Sequence, residues 1–286
     1  MITNSSRAVG PQIRMLLPTL TPREQSVVQY MLNRGSEIHR VTIADVAEAN
    51  NVSDAMIVKL AKKLGYNGYR ELRAALTEYN QLAVSEMYED LSPTDTPEMI
   101  IDKVFKTAIQ ALQETQAILD INGFNRAVDA VYRSRQRDFY GVGGSAIIAQ
   151  DAAHKFLRIG IRAAAYDDPH LMMMSAALLT ADDVVLAVSH SGRTSAVIEP
   201  ARLAKQNGAT VIALVNYSTS PLAQEADIVL CSTARGSPLM GENAAARVAQ
   251  LNILDALFVC IAQQDYARAE QSLDKTMTSV RQKRES

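Results

Sequence analysis

Seven consecutive residues, Ser189-His190-Ser191-Gly192-Arg193-Thr194-Ser195, combine the side chains and backbone freedom that hold an anion. Four of them carry hydroxyls, and Gly192 lets the backbone approach a ligand closely. A second stretch, Gly141-Val142-Gly143-Gly144-Ser145, offers backbone amides and a further hydroxyl. Where such a turn opens a helix, the unsatisfied N–H groups of the first turn and the positive dipole end aim at one spot. Two such turns make a cradle for an oxyanion, most naturally a phosphate. Each charge-assisted hydrogen bond contributes ~1.5–3 kcal/mol, so several reach the roughly 8 kcal/mol of micromolar binding. The same Ser and Thr residues could equally cap the helix, because caps and phosphate sites use the same groups. No G-x-x-x-x-G-K-[ST] run occurs, and the glycine turn lacks the third glycine and later acid of a dinucleotide fingerprint. Neither a nucleoside triphosphate nor a dinucleotide is the expected ligand.

The elements that must position these turns read as alternating strands and helices. Val184–Val188 and Val211–Val215 are short apolar runs around an amphipathic helix of roughly Ala196–Gln206, which Asn207-Gly208 ends. In such a unit the loop leaving the first strand lies at the carboxyl edge of a parallel sheet, where open α/β folds bind ligands. Asp138–Gly141 reads as the end of another strand and leads to a helix over Ala146–Ile159. Strand Arg162–Tyr166, helix Leu171–Leu179, strand Asp227–Cys231 and helix Asn243–Gln263 continue the alternation, after helices at Glu98–Leu119 and Phe124–Arg133. This pattern predicts a three-layer α/β sandwich around a parallel sheet.

Upstream the periodicity is purely helical. Thr21-Pro22-Arg23-Glu24 has the cap, proline and acid of a helix start, and the helix spans roughly Pro22–Asn33. A short helix over Ile43–Ala49, the turn Asn50-Asn51-Val52 and a third helix over Asp54–Leu64, capped by Ser53 and closed by Gly65, have helix-turn-helix spacing. On the third helix Ile57, Leu60, Ala61 and Leu64 would pack inward. That leaves Ser53, Asp54, Ala55 and Met56 placed to read base edges, Lys62 and Lys63 placed to neutralise phosphates, and Lys59 able to do either. A lysine face on an ordinary solvated helix would look the same. Arg70 and Arg73, on a further helix through about Tyr79, could flank a duplex or be solvated. The acidic, proline-containing stretch from Leu82 to Pro97 is the expected linker, giving a head over 1–81 and a body over 98–286.

Composition sets the outer bounds. The 286 residues are 48% hydrophobic and 21% charged, enough for two cored domains. The net charge of −2 hides a head of +3 before a body of −5, counted to either side of Asn80, which is compatible with nucleic-acid contact by the head. Cys231 and Cys260 lie in apolar surroundings and read as buried thiols rather than a disulfide framework. The N-terminus lacks a secretory leader pattern, so a cytoplasmic location is expected. The apolar helix candidate Ala244–Ala262 carries Arg247 and Asp255 and reads as a buried or subunit-interface helix, not a membrane span.

Gly141-x-Gly143-x-Ser145 with Ser189-x-Ser191-Gly192-x-Thr194 resembles the sugar isomerase (SIS) domain. The head, with Val52-Ser53, Lys63-Leu64-Gly65-Tyr66 and Gly68-Tyr69-Arg70-Glu71-Leu72-Arg73, resembles that of RpiR-type bacterial transcription regulators. The resemblance covers nearly the whole chain. It implies a dimeric or tetrameric repressor, with heads on a palindromic operator and a body that binds a phosphorylated sugar such as ribose 5-phosphate or allose 6-phosphate. It implies Gly143, Ser145, Ser189, Ser191 and Thr194 as phosphate ligands, with His190 at a variable polar position of the motif and Glu242 where SIS enzymes bring an acid toward the sugar. No cofactor and no metal is implied, and His39 and His154 lack the spacing of a metal set. The alternative is a sugar-phosphate isomerase with a helical head, using His170, His190 or Glu242 as the acid–base group. His170 follows Pro169 at a helix start, however, and Ser-His adjacency at 189–191 makes no triad. A scaffold whose cradle takes a phosphopeptide or nucleotide is a third class, which the small cradle disfavours.

Overall fold

The computed structural model describes residues 8–81, 91–234 and 244–281. They fall into two compact units, Met1–Ile118 with Thr233–Ala246, and Leu119–Ser232 with Arg247–Ser286. The linker expected over 82–97 lies largely outside the described residues, as does Glu242.

The first unit is helical. Its elements are α1 (Val9–Leu16), α2 (Pro22–Asn33), α3 (Ile43–Asn50), α4 (Asp54–Lys63), α5 (Tyr69–Gln81) and α6 (Pro97–Ile118). Thr21 and Thr42 build capping boxes with Glu24 and Asp45, and Ser53 caps α4, so three polar residues fix three helix starts. Between α3 and α4, Asn51 adopts a left-handed conformation with φ of +51°, which Asn tolerates better than most residues. Ile57, Leu60, Ala61 and Leu64 are buried as their spacing predicts, among Val27, Val28, Met31, Val46, Leu72 and Leu76. Helix α1 was not foreseen. It packs Gly10 directly against the Tyr79 ring, and its Arg14 pairs with Glu114 of α6. Glu114, 1% exposed, also accepts from the Tyr79 hydroxyl and, at 2.9 Å, from Gln110 Nε2. One carboxylate thus ties α1 and α5 to α6.

The second unit contains α7 (Ile121–Arg133), β1 (Arg137–Tyr140), α8 (Gly144–Arg158), β2 (Ala164–Tyr166), α9 (Pro169–Leu178) and β3 (Val184–Val188). After these come α10 (Ser195–Gln206), β4 (Thr210–Val215), α11 (Pro221–Glu225), β5 (Ile228–Cys231) and α13 (Tyr266–Arg281), while α12 (Ala244–Gln264) enters from the first unit. All pairings are parallel, in the order β2-β1-β3-β4-β5. Phe139, Val184, Leu186, Val188, Ile212 and Leu214 face a core completed by α7, α8 and α12. Alternate residues, among them Val185, Ala187, Val211 and Ala213, are buried on the opposite face, where α10 packs on β3 and β4. This is the three-layer sandwich the alternation implies. Helix α12 is long and apolar enough to cross a membrane, yet it buries Ile253, Leu254, Leu257 and Ile261 in this core.

Replacing Glu114 with Ala should destabilise the helical unit by about 3–5 kcal/mol, because it leaves a buried guanidinium without its charge partner. Urea unfolding followed by helical circular dichroism checks this, and an unmoved first transition would contradict it.

Candidate functional site

The sheet changes direction between β1 and β3. From β1 the chain crosses to β2 on one side, and from β3 it steps to β4 and β5 on the other. The crossovers therefore leave a crevice at the carboxyl ends of these two neighbouring strands, the place where ligands bind in open α/β sheets. Tyr140 and Ala187, paired in register, bring the two hydroxyl-rich turns to that crevice.

The β1 turn is short. Gly141 is buried, and a Cβ there would lie 2.6 Å from the Ser145 carbonyl oxygen, so only glycine fits. Gly143 takes φ of +57° and is the N-cap of α8, which begins at Gly144, two residues before the helix start read from sequence. Ser145 is thereby in the first helical turn, half-buried. The β3 turn is held from within. The buried Ser189 hydroxyl accepts from Gly192 N at 3.2 Å and donates to Thr194 Oγ1 at 3.4 Å, while Ser191 Oγ accepts from Arg193 N at 3.2 Å. The chain after β4 braces it from outside: Asn216 N donates to the His190 carbonyl at 3.0 Å, and Leu222 N, in α11, to the Gly192 carbonyl at 2.9 Å. Gly192 has φ of +62°, and a Cβ would sit 2.1 Å from Ser220 Oγ.

Capping separates these two helices from most others. Thr21, Thr42, Ser53, Asp120, Asp168 and Ser220 each accept a backbone N–H of their own helix. Helices α8 and α10 make no side-chain cap bond, although Thr194 sits at the N-cap of α10 with a hydroxyl; α1, entered from Ala8, and α5, entered from Gly68, also lack one. Thr194 is thus in the capping position without capping. Within these first turns Ser145 N and Ala146 N donate to the Val142 and Gly143 carbonyls, at 3.2 and 3.1 Å, and Val197 N donates to the Thr194 carbonyl at 3.0 Å. That leaves the amides of Gly144, Ser195 and Ala196 to a ligand or solvent.

The remaining predicted residues separate. The His190 ring makes an edge contact with Tyr217 of the β4 loop, ring centroids 6.2 Å apart. His170 is 94% exposed at the start of α9, its N–H on Asp168 Oδ1 at 2.9 Å, which is the helix-start role. His39 contacts the Ser36 carbonyl through Nδ1 at 2.7 Å, and His154 is exposed on α8. Beneath the crevice, burial pushes the Asp138 carboxyl above the usual carboxylate range, against the hydrogen bonds it accepts from Ser175 and Gln136. Burial also raises the Cys231 thiol to about 12, so it is protonated and unreactive at neutral pH. Asn216, Tyr217 and Ser220 had no sequence signal, because a brace one strand away leaves no local motif.

In the head, Ser53, Asp54, Ala55, Lys59, Lys62 and Lys63 are exposed on one side of α4 and Met56 is half-buried. Lys63 Nζ is already engaged, 2.9 Å from Glu24 Oε2 and 3.0 Å from the Thr19 carbonyl. Arg73 is held by the Val41 carbonyl at 3.1 Å, whereas Arg70 is exposed.

Residues 8–83 match the helix-turn-helix domain of the rpiR family, and residues 130–260 match the SIS domain. The chain is 44% identical over 268 residues to the HTH-type transcriptional regulator RpiR of Escherichia coli K12, covering 94% of this chain and 90% of that one. It is 31% identical over 246 residues to the HTH-type transcriptional regulator HexR of Pseudomonas aeruginosa, 86% of each chain. Its structure is similar to that of the Vibrio vulnificus NanR protein complexed with ManNAc-6P, with a TM-score of 0.60 and 29% identity over 94% of this chain and 98% of that one.

Replacing Gly192 with Ala should cost about 2–4 kcal/mol, from positive φ and from overpacking on Ser220. Thermal unfolding of the body measures it; an unchanged Tm would mean the β3 turn is not braced in this way.

Proposed function

We propose that this chain, which belongs to the RpiR family of helix-turn-helix regulators with a SIS domain, is a repressor whose operator affinity is set by a phosphorylated sugar. The observation that carries the effector half is the crevice at the β1/β3 reversal, into which α8 and α10 point N-termini without side-chain caps. The phosphate would take the Gly144, Ser195 and Ala196 amides together with the Ser145, Ser191 and Thr194 hydroxyls. Ser189, spent on Gly192 and Thr194, shapes the turn beneath it. Gly143 supplies the backbone bend, and His190 would stand toward the sugar. NanR with its bound ManNAc-6P supports a phosphosugar over other anions, and ribose 5-phosphate and allose 6-phosphate are the first to try.

For the other half, α4 would enter the major groove with Ser53, Asp54, Ala55 and Met56 foremost, Lys59 and Lys62 reaching phosphates, and Lys63 shared with Glu24. A palindromic operator calls for a homodimer or homotetramer. Ile101, Phe105 and Ile109, 61%, 66% and 41% exposed at four-residue spacing on α6, supply an apolar stripe for it. Coupling is linkage: a sugar phosphate that prefers an arrangement with wrongly spaced heads weakens the operator by its differential affinity. A coupling of ~1–3 kcal/mol corresponds to about 5–150-fold.

Fluorescence anisotropy on DNA from upstream of the chain's own gene, at fixed salt and with each sugar phosphate, tests the proposal. Specific binding that one sugar phosphate weakens is expected; no specific binding would return the isomerase reading. Ser191→Ala with Thr194→Ala should abolish the sugar response and keep operator affinity, and loss of both would contradict separate roles. Lys59→Ala and Lys62→Ala should each reduce the salt slope of DNA binding by about 0.9. Lys63→Ala should change it less, since that ammonium is already paired. Equal changes for the three lysines would contradict this division.

A further inference from the structure

We propose that Arg247 is a phosphate-binding residue of the crevice, its guanidinium placed beside the N-terminus of α8 to pair with the effector's phosphate. This rests on the sugar-phosphate reading above. Arg247 lies in the first turn of α12 and is exposed. A Cβ on Gly144, the first residue of α8, would come within 3.7 Å of both Cδ and Nη1 of Arg247. The guanidinium therefore stands next to the uncapped α8 start and one residue from Ser145.

The placement is fixed by the helix pair. Arg247 lies beside Gly144 at one end, and Asp255, two turns along α12, takes Lys155, about three turns along α8. Lys155 is held in addition by Asp151 at 2.5 Å. The two helices thus run in the same sense, and Arg247 lies at the crevice edge beside the start of α8.

Electrostatically, Arg247 is on the wrong end. A helix N-terminus carries about half a positive charge, so acids are favoured there and cations disfavoured. Among the described residues no carboxylate pairs with Arg247, while Lys155, at the other end of the helix pair, has two. A guanidinium beside a positive helix end gains what it lacks when a dianion lies between them. The planar fork of arginine suits two phosphate oxygens at once. The competing explanation is packing, with the arginine stem merely covering Gly144.

Charge and packing separate in Arg247→Met, which keeps an apolar stem. Calorimetric titration of the full chain with ribose 5-phosphate, allose 6-phosphate and inorganic phosphate, beside anisotropy on operator DNA, reads both. The sugar phosphate that binds the unaltered chain should bind Arg247→Met about ten- to a hundredfold more weakly, with sugar-free operator affinity unchanged. Equal affinity in the two proteins would overturn the role of Arg247 and leave the crevice reading standing. An unaltered chain that binds no phosphate compound would overturn the crevice reading itself, and Arg247's role with it. If Arg247→Met loses operator binding, Arg247→Gln replaces it, and the same outcomes decide.

Discussion

The reversal of a parallel sheet between two neighbouring strands is the constraint on which the body depends. With β2 to one side of β1 and β4 to the other side of β3, the two crossover helices start side by side at the carboxyl edge. A helix start has amides with no partner of their own, and most described helices satisfy one with a Ser, Thr or Asp. At the crevice that local solution is absent twice, in α8 because Gly143 has no side chain and in α10 although Thr194 has one. Desolvation of these groups by a ligand is favourable only if the ligand accepts their hydrogen bonds, which selects an anion.

The turns are held so that they need little rearrangement to bind. Inside the β3 turn Ser189 accepts the Gly192 N–H, and outside it Asn216 after β4 and Leu222 of α11 donate to His190 and Gly192. Such bracing lowers the ordering cost of binding. The head uses the same economy of polar groups, with capping boxes at α2 and α3 and the Ser53 cap at α4. A helix whose start is fixed can present Lys59 and Lys62 in a constant register to a duplex.

Much of this was legible from residue types. The inward face of α4, the βαβ unit at 184–215 and the strand ends at Tyr140 and Val188 follow from period and punctuation, because burial on one face imposes them. What was not legible depends on pairs distant in sequence. Helix α1 owes its place to Tyr79 and Glu114, and Gly192 is required by Ser220, twenty-eight residues on. Arg247 approaches Gly144 across about a hundred residues, through a helix packing that no local pattern announces. In sequence Lys63 is indistinguishable from its neighbour Lys62; only the fold sets Glu24 beside it. Helix starts shifted by one or two residues for a related reason: at α8 the glycines themselves carry the first turn.

The central claim is that a phosphorylated sugar seats its phosphate between the starts of α8 and α10. A crystal structure of the full chain with the sugar phosphate that releases operator DNA tests it most directly. The phosphorus atom is expected within hydrogen-bonding reach of the Ser145, Ser191 and Thr194 hydroxyls, over the Gly144, Ser195 and Ala196 amides. Density for the sugar phosphate elsewhere on the chain, with these two helix starts occupied only by water, would contradict it.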